Sequence, residues 1–334
     1  MEPIKHKQSL LNPSIFDQKE ELQNNVLKSR IYNCILDAIG NTPLVKVPLD
    51  CPATIYAKLE HLNPGGSIKD RTALYMIEQA EKTGLLQPGG TIIEASSGNQ
   101  GIAAAMIGAI KGYRVIITVS EKVSQEKKET LVAYGAEIVV CKPVKYLTDA
   151  DGYYMKAKEI HASLPGSFML NQYFNSDNAN SHYECTGREI WEQIGDRMTH
   201  FCGAMGSSGT VNGIGRYLKK MNSNITVLGV DSPCSFIATN GKPSPYYLDG
   251  MGIDYQTPFY DNSAMDQALL VKDEDAHLML KKLARKHGFL VGPASGGTLA
   301  AIEQYAQTLT KDDIIVTIIT DSGRAYLSKP FYRD

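Results

Sequence analysis

From residue 31 onward the chain alternates short β-branched runs with longer helix-forming stretches, and this alternation narrows the fold more than any other feature. Runs rich in Val, Ile and Thr and bounded by turn residues are predicted as strands at 55–59, 91–95, 114–119, 137–141, 199–205, 226–230 and 314–319. Between them, helical patterns are predicted at 70–83, 100–110, 126–134, 183–194, 211–221, 273–286 and 297–308. Strands separated by helices of this length imply an α/β fold with mostly parallel sheets, because each parallel connection needs a crossover and a helix supplies it. Turn signals at Pro88-Gly89-Gly90 and Lys111-Gly112-Tyr113 fall where such connections belong. The alternation weakens over 142–170, a longer and more polar stretch, which marks a lobe boundary near 170 and a mobile, substrate-binding element before it. The organisation expected is an N-terminal extension (1–40), an N-terminal lobe (41–170) and a C-terminal lobe (171–334).

A chain of 334 residues, 43% hydrophobic and 21% charged, can bury the cores of two such lobes without staples. Its formal net charge of −2 implies no general attraction to nucleic acid or anionic membrane. Six cysteines occur without any CxxC pair, which argues against a zinc knuckle or dithiol site. The histidines show neither HxH nor HExxH spacing, so no catalytic metal is expected; His182 and His200 read as structural rather than catalytic. No GxSxG elbow occurs. With no signal-peptide core and no run of about 18 apolar residues, a cytoplasmic protein with reduced thiols is expected.

Four segments carry chemistry. In Asn63-Pro64-Gly65-Gly66-Ser67-Ile68-Lys69-Asp70-Arg71 a Gly-rich turn opens a helix whose first turn holds Lys69. A cation there opposes the helix macrodipole; it is either a surface lysine or an amine kept unprotonated for Schiff-base chemistry. In Glu94-Ala95-Ser96-Ser97-Gly98-Asn99-Gln100-Gly101 hydroxyls and an amide collect between a strand and an Ala-rich helix. That is an anion site, or an ordinary helix cap made from the same residue types. Gly206-Ser207-Ser208-Gly209-Thr210 repeats the strand, small-residue loop, helix arrangement, in outline a phosphate cradle. It is neither a Walker A motif nor a GxGxxG dinucleotide fingerprint, so NAD is not supported. Gly292-Pro293-Ala294-Ser295-Gly296-Gly297 is the last loop of this kind and reads alone as a capped turn.

Taken in order, PGGSIKDR, SSGNQG, GSSGT and the C-terminal small-residue loop resemble the fold-type-II pyridoxal 5'-phosphate (PLP) family of cysteine synthases and cystathionine β-synthases. The likeness runs from about Ile31 to the C-terminus and takes in Asn41-Thr42-Pro43-Leu44-Val45. Gln172-Tyr173-Phe174-Asn175, His182-Tyr183, Asp249-Gly250-Met251-Gly252 and the tail DSGRAYLSK lean toward the cystathionine β-synthase branch, without its haem-ligand pair or C-terminal regulatory module. The resemblance implies a tryptophan-synthase-β-like fold of two lobes, PLP as cofactor, small amino-acid substrates and a homodimer. It implies that Lys69 holds PLP as a Schiff base and later moves the α-proton. Asn99 then bonds the ring hydroxyl, and Gly206, Ser207, Ser208, Gly209 and Thr210 hold the phosphate. Ser96, Ser97, Asn99, Gln100 and Gln172 contact the substrate, chiefly its α-carboxylate, while Gly250 and Gly252 line the entrance.

Three positions depart from the family pattern. Ala294 stands where a serine faces the pyridine nitrogen, so Ser295 takes that role through a local shift or the nitrogen bonds water or nothing. Ser208 replaces a glycine, and Gln100 replaces a threonine. The activity expected is replacement of the β-substituent of L-serine, or an activated serine, by a thiol such as homocysteine. Alternatives are cysteine synthesis from O-acetylserine and sulfide, desulfuration of cysteine with release of hydrogen sulfide, and use of an amine to make diaminopropionate. Outside the class stands an inactive homologue that binds a partner protein.

Overall fold

The computed structural model describes residues 31–332 except Ser97, Lys145 and Asn262. It divides into a unit at 1–37 and a unit at 38–334. Of the first, only 31–37 are described, so the expected extension at 1–30 lies outside the described residues. The second unit carries two sheets.

The smaller sheet is built from β3 (Thr91–Ala95), β4 (Arg114–Ser120), β5 (Glu137–Cys141) and β6 (Ser167–Met169), in the order β5-β4-β3-β6 and parallel throughout. Helices α2 (Asn99–Lys111), α3 (Gln125–Ala133) and α4 (Tyr153–Ser163) make its crossovers. In β3 four of the five residues of TIIEA are buried, as expected of a parallel strand covered on both faces. Helix α2 is buried from Gln100 to Gly108; its run of Ala and Gly lets it lie close against α1 (Lys69–Lys82). The larger sheet takes β1 (Leu44–Lys46), β2 (Thr54–Leu59), β7 (His200–Ala204), β8 (Thr226–Asp231), β9 (Gln267–Leu270) and β10 (Ile314–Ile319), in the order β1-β2-β10-β7-β8-β9. Only the β1–β2 pair is antiparallel.

The remaining α-helices are α5 (Asp177–Ser181), α6 (Arg188–Ile194), α7 (Gly209–Met221), α8 (Asp273–His287) and α9 (Pro293–Tyr305). The expected helix at 183–194 is instead a π-helical turn, His182–Gly187, running into α6. The sequence reading left out α4, whose YYMKAKEIHAS buries only Tyr154 and Ala157 and so shows little periodicity. It also left out β9, an edge strand whose QALL is mostly exposed, and the three-residue β1 and β6. The sheets interleave along the chain: β1 and β2 lie before residue 60, yet they join the larger sheet through the pairing of β2 with β10.

Apolar side chains on both faces of the larger sheet form its core, with Ile55, Leu228, Leu299 and Ile315 in one cluster and Phe201, Ile214, Val227 and Val316 in another. Among the described residues no helix is long and apolar enough to cross a membrane. The carboxyl ends of β2, β3 and β7 lead toward the Lys69, 96–101 and 206–210 segments and that of β10 into the DSGRAYLSK tail, which is where parallel sheets present ligand sites, whereas the 292–297 loop joins α8 to α9.

Candidate active site

Lys69 is the first residue of α1 and is locked by the end of β10. Ile68 N donates to Thr320 O at 2.9 Å, Ser67 pairs with Asp321, and Lys69 N donates to Ser67 Oγ at 3.1 Å. Lys69 Nζ has no hydrogen-bond partner among the described residues. Burial pulls its proton affinity down to about 8, against the partial opposition of Glu94 and Asp321. The next two residues anchor the helix start. Asp70 accepts from Gly65 N at 2.5 Å, and burial raises its carboxyl to about 7. Arg71 forks onto Glu60 (2.7 and 2.9 Å) and Glu189 (2.6 and 2.8 Å), and Lys58 Nζ meets the same Glu189 at 2.9 Å. This buried ion cluster ties β2, α1 and α6 together around the lysine.

In the loop after β3, Ser96 Oγ accepts from Gly98 N (3.0 Å) and Gly101 N (2.9 Å), satisfying amides that the start of α2 leaves free. Ser97 lies outside the described residues. Asn99 Nδ2 donates to Asp321 Oδ2 at 2.7 Å. A carboxylate only accepts, so the amide nitrogen must face Asp321, and the same amide also hydrogen-bonds Tyr326. Asp321 also accepts from Tyr326 OH (2.6 Å), which itself accepts from Lys127 Nζ (2.8 Å). Gln100 is buried and turned toward Met76 Sδ at 3.7 Å, with its Oε1 unpartnered. Gln172 is buried beside Ala95 O, 3.4 Å from Nε2. Its neighbour Asn171 donates its N–H to Glu94 Oε2 at 2.8 Å. Burial lifts the Glu94 carboxyl to about 8.

The loop after β7 runs from Gly206 to Thr210 into α7. Gly206 lies against Gly250, close enough that a Cβ there would come within 2.9 Å of Gly250 O. Gly252 N donates to Met205 O at 2.7 Å, so the 249–252 segment is seated on this loop. Ser207 Oγ accepts from Asn178 Nδ2 at 3.1 Å. Ser208 takes a left-handed φ of 67°, and its buried hydroxyl has no partner. Thr210 Oγ1 is 3.1 Å from His182 Nε2. In the last loop Ser295 is fully buried. Its Oγ accepts from Thr320 N at 2.9 Å and lies 3.0 Å from Thr320 Oγ1, so the hydroxyl is already engaged. Ala294 instead faces Gly250, 3.5 Å from where a Cβ on that glycine would stand.

Lys69, Asn99, the Gly206–Thr210 loop, Gly250 and Ala294 are therefore joined through Asp321, Thr320 and direct contact, whereas the side chains of Ser96 and Ser295 are committed to internal partners and Gln100 keeps its Oε1 unpartnered. Sequence reasoning missed Asp321, Glu94 and Lys127. Asp321 stood at the carboxyl end of the apolar run IIVTII, a position that marks ligand contacts in parallel sheets; nothing local distinguished Lys127.

Comparison at the level of families matches residues 35–321 to "Pyridoxal-phosphate dependent enzyme". Cystathionine beta-synthase of Saccharomyces cerevisiae is 39% identical over 314 residues, which cover 88% of this chain and 62% of that protein. Cysteine synthase of Helicobacter pylori strain J99 is 37% identical over 307 residues, covering 90% and 99%. Among solved structures, the O-acetylserine dependent cystathionine beta-synthase from Helicobacter pylori matches with a TM-score of 0.85 at 37% identity, covering 90% of this chain and 99% of that one. O-ureido-L-serine synthase matches with a TM-score of 0.84 at 32% identity, covering 90% and 95%.

Proposed function

The chain belongs to the family of pyridoxal-phosphate dependent enzymes, and from that premise we propose that it replaces the β-substituent of L-serine, or of an activated serine, by a thiol such as homocysteine. PLP-dependent β-replacement is the chemistry its relatives support. The residues fit the cofactor. Lys69 offers an unpartnered amine that burial keeps easy to deprotonate. Ser208 offers a buried, unpartnered hydroxyl inside a loop at a helix start, where an anion is favoured. Asn99 is held in one orientation by Asp321 and Tyr326.

PLP, when bound, supplies an electron sink that makes the α-proton of an amino acid removable. Lys69 would hold the cofactor, and its Nζ, placed beside Cα of a bound amino acid, would take the α-proton. Asn99 would hold the ring hydroxyl, Gly206–Thr210 the phosphate, and Ser97 with Gln172 the α-carboxylate. Ser96 supports that loop from beneath by holding its amides, and Gln100 reaches the substrate only by turning from Met76. The engagement of Ser295 with Thr320 favours the reading in which the pyridine nitrogen has no hydroxyl from this loop. Gly250 and Gly252 form the entrance. The active species is a homodimer.

The observation that carries the reading is the position of Lys69: a partly buried amine, first in its helix, with no hydrogen-bond partner among the described residues and with Asp321 and Glu94 as the opposite charges acting on it. Incubation with serine or O-acetylserine, each with homocysteine or sulfide, and identification of products by mass tests it. Cystathionine from either donor supports the proposal. Cysteine from O-acetylserine and sulfide, with no thioether, replaces it by the cysteine-synthase reading, in line with the name of the relative from Helicobacter pylori strain J99.

A further inference from the structure

Three threonine hydroxyls converge on one imidazole to which no role has been given above. His182 is fully buried. Its Nε2 lies 3.2 Å from Thr72 Oγ1 and 3.1 Å from Thr210 Oγ1, and its Nδ1 lies 3.0 Å from Thr186 Oγ1. Thr72 sits one turn beyond Lys69 on α1, and Thr210 closes the Gly206–Thr210 loop. The imidazole thus bridges the lysine helix and the loop at the start of α7. It opens the π-helical turn His182–Gly187, a distortion that tends to be kept where a side chain must be aimed. Helix α7 presses on that turn, since a Cβ at Gly213 would come 2.7 Å from His182 Cβ. Burial and the facing cations Lys69 and Arg71 all oppose a second proton on the ring.

We propose that His182 is a positioning residue that carries its proton on Nε2 and so turns the Thr210 hydroxyl proton toward an anion in the Gly206–Thr210 loop. A neutral imidazole has one N–H and one lone pair. With the proton on Nε2, that nitrogen donates to the threonine oxygens, Nδ1 accepts from Thr186, and Thr210 keeps its own proton to give to an anionic oxygen. With the proton on Nδ1, Nε2 must accept from one of the two threonines. If Thr210 donates there, its hydroxyl presents only lone pairs to the anion. If Thr72 donates there instead, the Thr210 oxygen faces that nitrogen at 3.1 Å with no proton between them, an unfavourable contact of lone pairs. An anion in the loop therefore favours the Nε2–H form. The inference rests on the reading that the PLP phosphate occupies this loop.

The test uses the holoenzyme and its apoprotein. In 15N spectra of histidine-labelled holoenzyme, with the signal assigned through His182→Gln, Nε2 is expected to be the protonated nitrogen; a proton on Nδ1 overturns the proposal. By fluorescence titration of apoprotein with PLP, His182→Leu should weaken binding about tenfold, the size of one hydrogen bond to a charged group. His182→Gln, which places an N–H donor close to the Nε2 position, should restore most of it. The double variant His182→Leu/Thr210→Val should bind no more weakly than Thr210→Val alone; losses that multiply overturn the proposal. If His182→Leu fails to fold, the nitrogen spectrum and His182→Gln still decide. Wild type that binds no PLP sinks the functional reading as well, whereas equal PLP affinity in wild type and His182→Leu sinks this inference alone.

Discussion

Replacing Glu189 by glutamine removes one charge from the cluster that anchors the start of the lysine helix, and the cost can be worked out. Burial alone would raise this carboxyl, but the hydrogen bonds and charge of Arg71, with Lys58, hold it at about 2 against an ordinary 4.5. At about 1.36 kcal/mol per pH unit, that difference corresponds to about 3 kcal/mol of folded-state stabilisation. The side chain is only 18% exposed, so solvent screening takes little from this figure. It also matches the cost of about 3–5 kcal/mol for breaking a buried ion pair, since Arg71 and Lys58 would share Glu60 alone. The folded pKa is depressed, so the contribution is fully present above pH 4.5 and is lost as pH falls toward 2. Glu189→Gln is therefore expected to lower the unfolding free energy by about 3 kcal/mol at pH 7, or the melting temperature by roughly 5 °C in a chain of this size. Urea titrations followed by circular dichroism should show the gap between wild type and variant shrinking by about half between pH 5 and pH 3. A gap under about 1 kcal/mol at pH 7, or one that ignores pH, would show that the carboxylate is solvated and that the helix start is held otherwise.

Two further outcomes follow from the site. Ser208→Gly removes a left-handed serine and an unpartnered buried hydroxyl, so calorimetry of the apoprotein should show a gain of about 1 kcal/mol; no gain means the loop relaxes around the serine. Because burial brings the Lys69 amine to about 8, capture of PLP by apoprotein in stopped-flow absorbance should quicken with rising pH up to about 8 and level off above. A rate that keeps climbing toward 10.5 would mean that the amine is exposed to water.

The parts of the fold legible in the sequence were those whose burial leaves a periodic trace. Strands such as TIIEA and IIVTII are nearly continuous apolar runs because both faces are covered, and α1 alternates apolar and polar residues because one face meets solvent. Helix α4 left no such trace, since a Tyr and an Ala are its only buried residues. The pairing of β2 with β10 could not be read from local pattern, because register between segments more than two hundred residues apart is set by the whole sheet. At the site, Lys69 and the glycine loops were legible from the chemistry of residues at strand ends. What the sequence left hidden was which hydroxyls and amides are already spent. Ser295 on Thr320, Ser96 on backbone amides and Gln100 against Met76 are choices of rotamer and partner, made only when distant segments meet.

The neighbouring position of β2 and β10 also bears on how the protein is made. The four strands of the smaller sheet leave the ribosome one after another, ending at Met169, so that sheet can assemble while synthesis continues. Strand β2 is complete at Leu59 but waits for a central partner that begins only at Ile314. Until then its β10-facing edge is unpaired and open to wrong partners, and the lysine segment that follows lacks the Thr320 and Asp321 contacts that hold it. The segment that carries Lys69 is thus held in place only once β10 and the Thr320 and Asp321 that follow it have been made.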